Sequence, residues 1–389
     1  MESFELHAPD SAALADAARH WRAAYVHIPF CARRCPYCDF AVVTPDEQVG
    51  PHRRYVDALV SEIGMEPHWQ PLDALFIGGG TPSQLEPDQL ALVIAALAER
   101  FGFAAHHEVT MEANPEDWDA ETADGFLAAG VNRVSFGVQS FDATVLASLG
   151  RLHNAEQAVD AVHVAKAAGF DSVNIDLIYG AVGETVASWR ATVERGLATE
   201  PDHVSMYSLT VEPGTALSRA VGAGAPAPDE DDLADKYELG SEMMDRAGLV
   251  RYEVSNFARP GATVRYNMTA WAQGEYLAFG LGAHGHREQV RRRNVRRLSA
   301  YLDMVESGNR PQAGADRIGG WSREVERVFL GIRRAAGVEA GSAGAQLLAG
   351  ADGQRLVGAG ILSDDWGRLR VLRPLLTDEV SRAVLSLSP

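Results

Sequence analysis

Between residues 25 and about 210, short apolar runs alternate with amphipathic segments, and this alternation constrains the fold more than any other feature. The apolar runs cover residues 25–30, 75–77, 109–112, 134–138, 173–178 and 204–209, and the amphipathic segments include residues 53–63, 89–100, 155–168 and 184–197. Runs rich in Val, Ile and Leu are typical of strands covered on both faces. The sequence therefore predicts an α/β fold with a parallel sheet and helices outside it. The periodicity leaves open whether that sheet closes into a barrel.

Composition and charge exclude several classes of function. The chain has 389 residues, of which 46% are hydrophobic, and a formal net charge of -18. An acidic chain repels the phosphate backbone, so we expect no nucleic-acid partner. No run of 18 apolar residues occurs, and the N-terminal segment lacks a basic start followed by an apolar core. We therefore expect neither a transmembrane segment nor a signal peptide.

All three cysteines lie within eight residues, as Cys31, Cys35 and Cys38, directly after the first predicted strand. Such an odd, clustered set is no disulfide framework and fits a reducing compartment, so we expect a cytoplasmic protein. A structural zinc site, which is the alternative, needs four protein ligands, and no second Cys/His pair is spaced to complete one. Three thiolates with an open fourth position suit an iron–sulfur cluster that leaves one iron free.

Glycines and polar residues follow the predicted strands at the end where parallel α/β proteins bind ligands. The glycine segment 78–82 (GGGTP) follows the second strand and lets a ligand lie against bare backbone. Glu112 ends the third strand, where a carboxylate can accept hydrogen bonds from both ribose hydroxyls. Gln139, Arg151 and Asp176 follow in order. Singly, each is more often a capping or surface residue, but together they predict one ligand site.

The motifs together resemble those of the HemN/HemW family of the radical S-adenosylmethionine superfamily over nearly the whole chain. They read YVHIPFC…CPYCDF, GGGTP, GVQSF, LGRLH, NIDLIYG and RYEVSNFARPG. The resemblance implies a partial (β/α)6 barrel and a [4Fe–4S] cluster whose free iron binds S-adenosylmethionine, which an electron from the cluster cleaves to a 5′-deoxyadenosyl radical. It also implies an electron donor of the flavodoxin or ferredoxin type. By resemblance, the S-adenosylmethionine site comprises Tyr25, Tyr37, Gly79, Gly80, Thr81, Glu112, Gln139, Arg151 and Asp176.

The domain boundaries follow from composition and from the resemblance. Residues 1–24 are predicted as a lead-in, 25–250 as the radical S-adenosylmethionine core, 251–310 as a connecting segment and 311–389 as a small C-terminal domain. From about Trp321 the pattern is helix, helix, a hairpin in ILSDDWGRLRVLR and a last helix, which predicts a winged-helix-like α+β unit. Its helices carry no concentrated basic face, so a lid or docking role is favoured over DNA binding.

Two features separate the branches of the family, which contains oxygen-independent coproporphyrinogen III oxidase and heme chaperones. The oxidase branch typically has a fourth cysteine where this chain has Phe40, and an N-terminal extension where only 24 residues precede Tyr25. Both favour a protein that binds heme and delivers it to an acceptor protein. The alternatives are a radical enzyme, such as the oxidase or a methyltransferase acting on a tetrapyrrole or other substrate, and a binding protein with a structural or regulatory cluster. Whether a substrate is turned over stays open.

The post-barrel motif, residues 266–271, bears on heme binding. The family motif HNxxYW is implicated in heme binding, and this chain reads YNMTAW, so Asn267 and Trp271 match while tyrosine and alanine replace the other two residues. Tyr266 can itself ligate ferric heme. Alternatively, His284 or His286 is the ligand and an arginine cluster meets the propionates, or the protein acts on another substrate. The arginine cluster, otherwise interpreted as a solvated helix face, comprises Arg287, Arg291, Arg292, Arg293, Arg296 and Arg297.

Overall fold

The computed structural model describes residues 8–389, so residues 1–7 of the predicted lead-in lie outside the described residues. The strands are β1 (Arg22–Ile28), β2 (Leu72–Gly79), β3 (Phe103–Ala113), β4 (Arg133–Gln139), β5 (Ser172–Tyr179), β6 (His203–Ser208), β7 (Val250–Arg251), β8 (Asn256–Ala258), β9 (Glu275–Phe279), β10 (His284–Arg287), β11 (Val290–Asn294), β12 (Gln312–Arg317), β13 (Val338–Glu339), β14 (Leu362–Asp365) and β15 (Arg368–Val371). The helices are α1 (Ala8–Ala17), α2 (His52–Met65), α3 (Pro87–Phe101), α4 (Ala120–Ala128), α5 (Ala143–Ser148), α6 (Ala155–Ala168), α7 (Val186–Ala198), α8 (Ala216–Gly222), α9 (Glu230–Arg246), α10 (Arg265–Trp271), α11 (Leu298–Glu306), α12 (Gly320–Gly331), α13 (Gly341–Ala349), α14 (Ala351–Gly358) and α15 (Thr377–Leu385).

The main sheet has 12 strands in the order β12-β11-β10-β9-β1-β2-β3-β4-β5-β6-β8-β7. Strands β1 to β6 are parallel neighbours in chain order, and each pair is separated along the chain by helical segments. The two edge strands of the described sheet, β12 and β7, do not pair with each other, so the sheet stays open. The predicted α/β fold with a partial (β/α)6 barrel is therefore confirmed.

Strands β3 to β6 alternate apolar and polar side chains, which differs from the nearly continuous apolar strands that the sequence suggested. In β4, Val134 and Phe136 belong to the buried apolar core, whereas Arg133 and Ser135 line a cavity on the concave side of the sheet. A period of two places successive side chains on opposite faces of a strand. The convex face therefore packs against the helices, and the concave face is polar.

Helix α6 shows how the sequence sets the ends and the buried face of a barrel helix. The Asn154 side chain accepts a hydrogen bond from the Gln157 N–H in a capping box, and Gly169 ends the helix at a φ of 97°. Such a cap stabilises a helix by about 1 kcal/mol. Ala158, Ala161, Val162 and Ala165 are buried, and this i, i+3, i+4, i+7 spacing forms the face toward the sheet.

The segment predicted as a connection, residues 251–310, contributes strands β8 to β11 to the main sheet. Its arginines 291–293 lie in strand β11, so their interpretation as part of a helix face is wrong. Strands β10 and β11 form a hairpin in which Arg287 pairs with Val290. The two turn residues between them, Glu288 and Gln289, have φ of 53° and 63°. A two-residue turn with both φ positive is the type I′ turn that favours hairpins.

Residues 320–385 form four helices, α12 to α15, around a three-stranded antiparallel sheet of order β13-β15-β14. This unit has its own apolar cluster, centred on Val328, Leu356 and Leu369. Its predicted likeness to a winged helix and the predicted domain boundaries stay predictions. Within residues 8–389, no helix is both long enough and apolar enough to cross a membrane.

Candidate functional site

A cavity of about 430 Å³ lies along the carboxyl ends of the parallel strands and continues down the concave face of the sheet. Most of the predicted cluster and S-adenosylmethionine residues line it, although they are spread from position 31 to position 176. The structure brings together Cys31, Cys35, Tyr37, Cys38, Gly79, Gly80, Thr81, Glu112, Gln139, Arg151 and Asp176. The edge where parallel strands end thus collects them, as the sequence predicted.

The cysteine loop is held in place by backbone hydrogen bonds. The Cys31 N–H donates to the Val43 carbonyl oxygen at 3.1 Å, and the Cys38 N–H donates to the Cys35 carbonyl oxygen at 3.2 Å. The Thr81 hydroxyl donates to the Cys31 Sγ at 3.4 Å. The loop after β1 therefore lies directly against the glycine segment after β2.

Two of the three thiols are less acidic than ordinary cysteines. Burial raises the pKa of Cys31 to about 11, against the opposing effect of the Thr81 hydroxyl, and burial also raises the pKa of Cys38. Without a bound cation the Cys31 thiol is therefore protonated at neutral pH. Metal ligation requires the thiolate, so it needs the positive charge of the metal.

Gly79 ends β2 in a conformation that only glycine adopts without strain. Its φ is 110°, and a Cβ at this position would lie 2.2 Å from the Nδ1 of His27. A Cβ on Gly78 would likewise lie 2.7 Å from the Glu112 carboxylate. The ends of β1, β2 and β3 approach each other closely because these positions lack side chains.

The Glu112 carboxylate at the end of β3 has few partners. Its Oε2 accepts a hydrogen bond from the Gly79 N–H at 2.9 Å. Burial, together with the nearby Asp176 carboxylate, raises the pKa of Glu112 to about 7, although the Gly79 hydrogen bond opposes this. A carboxylate in this state readily accepts hydrogen bonds from a ligand's hydroxyl groups.

Gln139 and Arg151 present unpaired polar atoms at the cavity wall. The register of β4 and β5 shifts between Phe136 and Gln139, and Gln139 has a φ of 64°. Such a φ costs a residue with a side chain about 1–2 kcal/mol. Arg151 donates to the Asn114 Oδ1 at 2.5 Å and to the Gly137 carbonyl oxygen at 2.7 Å. The Gln139 Oε1 and the Arg151 Nε have no partner among the described residues.

Asp176 belongs to a buried polar network inside the barrel. Its carboxylate accepts hydrogen bonds from the Asn174 side-chain amide at 2.8 Å and from the Ser135 hydroxyl at 3.0 Å. Asn174 is also hydrogen-bonded through its Oδ1 to the Nδ1 of His203 at 2.5 Å. Burial raises the pKa of Asp176 against these hydrogen bonds. The network fixes its members at one side of the cavity.

Comparison with known proteins assigns the family. Residues 25–196 match the model of the radical SAM superfamily. The heme chaperone HemW of Mycobacterium tuberculosis (strain H37Rv) is 39% identical over 328 residues, which cover 82% of this chain and 84% of that protein. The heme chaperone HemW of Escherichia coli (strain K12) is 37% identical over 265 residues, which cover 67% of this chain and 69% of that protein. This chain belongs to the HemN/HemW family.

A solved structure agrees with the fold of this HemN/HemW family member. Coproporphyrinogen III oxidase (HemN) from Escherichia coli, a radical SAM enzyme, superimposes with a TM-score of 0.79 at 24% identity and covers 98% of this chain and 93% of that chain. At this identity the likeness shows the fold alone. Membership of the radical SAM superfamily implies a [4Fe–4S] cluster and S-adenosylmethionine as cofactors.

Tyr25, carried over from the HemN/HemW family, lies behind the cavity wall rather than in it. Its hydroxyl is hydrogen-bonded to the Nδ1 of His27 at 3.0 Å. Its ring packs against Phe76, which does line the cavity, and against Tyr266, with ring centroids 6.3 Å and 6.0 Å apart. Tyr266 also packs against Tyr276 at 5.6 Å, so both tyrosines belong to one aromatic cluster beside the cavity.

The heme candidates of the HemN/HemW motif lie in separate places. Asn267 lines the cavity, but the ring of Trp271 lies 5.3 Å from the Arg333 guanidinium carbon, away from it. His284 is exposed on β10, where it pairs with Arg293 of β11. His286 is buried, and its Nδ1 is hydrogen-bonded to the Gly274 carbonyl oxygen at 2.9 Å. The fold therefore does not gather these side chains around one pocket.

The arginine cluster is partly paired in this HemN/HemW family member. Arg287 pairs with Glu66 at 3.4 Å and Arg291 pairs with Glu326. Arg296 donates to the backbone carbonyl oxygen of Asp39, at 2.7 Å, beside the cysteine loop. The cluster thus also fastens the outer strands of the sheet to the barrel.

Sequence reasoning missed the polar residues deeper in the barrel. These residues line the same cavity and are Arg133, Ser135, Asn174, His203 and Ser205. The signal was present in the sequence, since residues 133–139 (RVSFGVQ), 172–177 (SVNIDL) and 203–208 (HVSMYS) alternate polar and apolar side chains. Period-two alternation indicates a strand with one polar face.

Proposed function

We propose that this protein binds heme and delivers it to an acceptor protein, and that it holds a [4Fe–4S] cluster on Cys31, Cys35 and Cys38. The observation that carries the proposal is the cysteine loop, the glycine segment and the polar strand ends sharing one cavity in a chain 39% identical to a HemW heme chaperone. The proposal includes a flavodoxin- or ferredoxin-type electron donor and a cytoplasmic location.

The donor set supports a cluster rather than a single metal ion. Within residues 8–389, no group of three or more His, Cys, Asp or Glu side chains is placed to hold one ion. Each thiolate of a [4Fe–4S] cluster binds a different iron, so the three sulfurs need not converge on one point. Reconstituted protein that binds zinc instead of iron would contradict this part of the proposal.

The cavity wall supports S-adenosylmethionine beside the cluster. When both are bound, the reduced cluster supplies the electron that cleaves the sulfonium ligand. The protein's own groups have simpler tasks: the backbone at Gly79 and Gly80 leaves room for the ligand, and Glu112 accepts hydrogen bonds from ribose. Gln139 and Arg151 line the same cavity, and the buried Gln139 Oε1 and Arg151 Nε have no partner among the described residues.

For the heme iron we propose His284 as the axial ligand. Its imidazole is exposed on β10, and Arg293 and Arg296 lie close enough to influence it and to meet anionic propionates. Tyr266 is the competing ligand, but its ring packs among Tyr25, Phe76 and Tyr276. A heme at Tyr266 would therefore have to displace aromatic neighbours.

Anaerobic heme titration of the cluster-loaded protein tests this function. We expect a Soret band that saturates with heme, that shifts or disappears in His284→Ala and that is unchanged in Tyr266→Phe. His163→Ala, which removes an exposed histidine of α6, is the matched control. A change confined to Tyr266→Phe would move the ligand to that residue.

Two results would reject heme delivery itself. The first is the absence of a saturable Soret change in the unmodified protein. The second is conversion of coproporphyrinogen to a vinyl product, which would make the protein an enzyme of the oxidase type. Measuring 5′-deoxyadenosine in the same samples shows whether S-adenosylmethionine is cleaved.

A further inference from the structure

Arg133 at the start of β4 is a buried cation with no ionic partner. Only 3% of its surface is exposed, and it lines the cavity. Its Nε and Nη2 have no hydrogen-bond partner in the described part of the chain. Among the side chains that the structure describes, residues 12–389, no carboxylate oxygen lies within 4.0 Å of the Arg133 guanidinium nitrogens. An unpaired buried charge is costly, so its presence needs an explanation.

The two acidic neighbours of Arg133 are already engaged elsewhere. Asp176 accepts hydrogen bonds from Ser135 and Asn174. Glu108 accepts a hydrogen bond from the Arg265 N–H at 3.1 Å, at the start of α10. Both carboxylates act on Arg133 only through space. The guanidinium Nε and Nη2 therefore have no hydrogen-bond partner among the described residues, although the residue lines the cavity.

Arg133 lies deeper in the barrel than the site proposed for S-adenosylmethionine. In the strand register it pairs with Thr110, whereas Ser135 pairs with Glu112. The two levels are two residues apart, which is about 7 Å along a strand. His203 and Asn267 also line the cavity. The cavity therefore has a second set of polar groups, which the proposed cofactor residues do not include.

We propose that Arg133 anchors a second binding site, at the amino end of the barrel strands, for the carboxylate group of a small organic molecule. The planar guanidinium presents parallel N–H donors that match a carboxylate. A singly charged carboxylate suits the site better than a phosphate, because Glu108 and Asp176 repel a second negative charge. The uncharged amide of Asn267, which also lines the cavity, can hydrogen-bond the rest of the ligand. The site goes beyond heme delivery and does not depend on it.

The experiment measures binding of carbon-13-labelled propionate to the full-length, cluster-loaded protein by saturation-transfer NMR. We expect Arg133→Met to weaken binding at least tenfold, because a charge-assisted hydrogen bond is lost. The propionate affinity of Arg133→Lys should lie between those of Arg133→Met and the unmodified protein, since lysine keeps the charge but lacks the planar guanidinium. Arg190→Met, which removes an exposed arginine of α7, is the matched control and should bind like the unmodified protein. Inorganic phosphate should bind more weakly than propionate.

The same variants separate a ligand site from a structural cation. If Arg133 awaits a ligand, Arg133→Met should keep or raise the melting temperature, because an unpaired buried charge is removed. A large fall in the melting temperature of Arg133→Met would overturn the proposal. If Arg133→Met does not fold, an Arg133→Lys variant that folds but binds no propionate would overturn it. Equal propionate binding by Arg133→Met and the unmodified protein would overturn it as well. Loss of heme binding in the earlier titration leaves these results unaffected.

Discussion

Glu112 and Asp176 come from strands far apart in the chain, yet both could be placed in the site from the sequence. Glu112 ends one predicted parallel strand and Asp176 lies near the end of another, and parallel strands end at one edge of a sheet. Arg133 and His203 were missed, because the apolar residues that alternate with polar ones in β4 and β6 were interpreted as parts of continuous apolar strands. Tyr25 was carried over by family resemblance, and the packing of Phe76 in front of it is a tertiary effect that no motif encodes.

Glu112→Gln should weaken S-adenosylmethionine binding about tenfold, because a charge-assisted hydrogen bond is worth roughly 1.5–3 kcal/mol. The pKa of Glu112 is raised to about 7, so the carboxylate that accepts the ligand's hydroxyls is lost as the pH falls through 7. Affinity of the unmodified protein should therefore rise as the pH is raised through 7, and the variant should lose this dependence. Anaerobic calorimetry of cluster-loaded protein measures both effects. Glu121→Gln, on the exposed surface of α4, is the control, and equal affinities would remove Glu112 from the site.

At the level of elements, the six β–α units were predictable, whereas the outer strands of the sheet were not. Strand β11 carries three consecutive arginines, which read as a solvated helix face. Its actual conformation depends on pairing with β10 and β12, which lie on either side of it. The turn before β11 has Glu288 and Gln289 at positive φ, so the Asn-Gly pair that usually predicts a hairpin turn is missing from the sequence.

Gly79 at the end of β2 should tolerate a side chain less well than other glycines that have a positive φ. Gly102 also has a positive φ, of 77°, but a Cβ there meets nothing within 4 Å. We expect Gly102→Ala to cost about 1–3 kcal/mol from backbone strain alone. Gly79→Ala should cost clearly more, because the added Cβ would overlap His27, which is fixed by the Ala41 carbonyl oxygen at 2.9 Å. Urea unfolding compares the two variants, and equal losses would show that His27 can move aside.

For the whole molecule, the sequence predicted the order of the parts but not the bonds between them. Glu62 of α2 is an example, because its partners lie more than 200 residues away. Its carboxylate accepts hydrogen bonds from the Gly280 N–H at 2.8 Å, from the Asn294 amide at 2.6 Å and from the Tyr301 hydroxyl at 2.7 Å. It therefore joins the barrel helix α2 to the outer strands and to α11.

Glu62 should make the stability of the molecule depend on pH. Burial raises its pKa from 4.5 to about 7, although its hydrogen bonds oppose the shift. The folded state thus holds a proton that the unfolded state releases, so this group favours folding at low pH and the contribution is lost as the pH rises through 7. A shift of this size corresponds to about 3 kcal/mol. In urea unfolding, Glu62→Gln should reduce the dependence of the midpoint on pH between about 4.5 and 7. Glu99→Gln, which removes an exposed carboxylate of α3, should leave that dependence unchanged. Parallel pH profiles for Glu62→Gln and the unmodified protein would refute the assignment.

Helix α10, rather than a strand of the sheet, closes the amino end of the barrel. Its seven residues are secured by the Arg265 N–H on Glu108 and by the ring contacts of Tyr266, and no strand hydrogen bond crosses it. These contacts close the amino end of the barrel through side chains, whereas backbone hydrogen bonds hold the strands together. The shape of this end therefore depends on which side chains α10 carries, and not only on the pairing of the sheet.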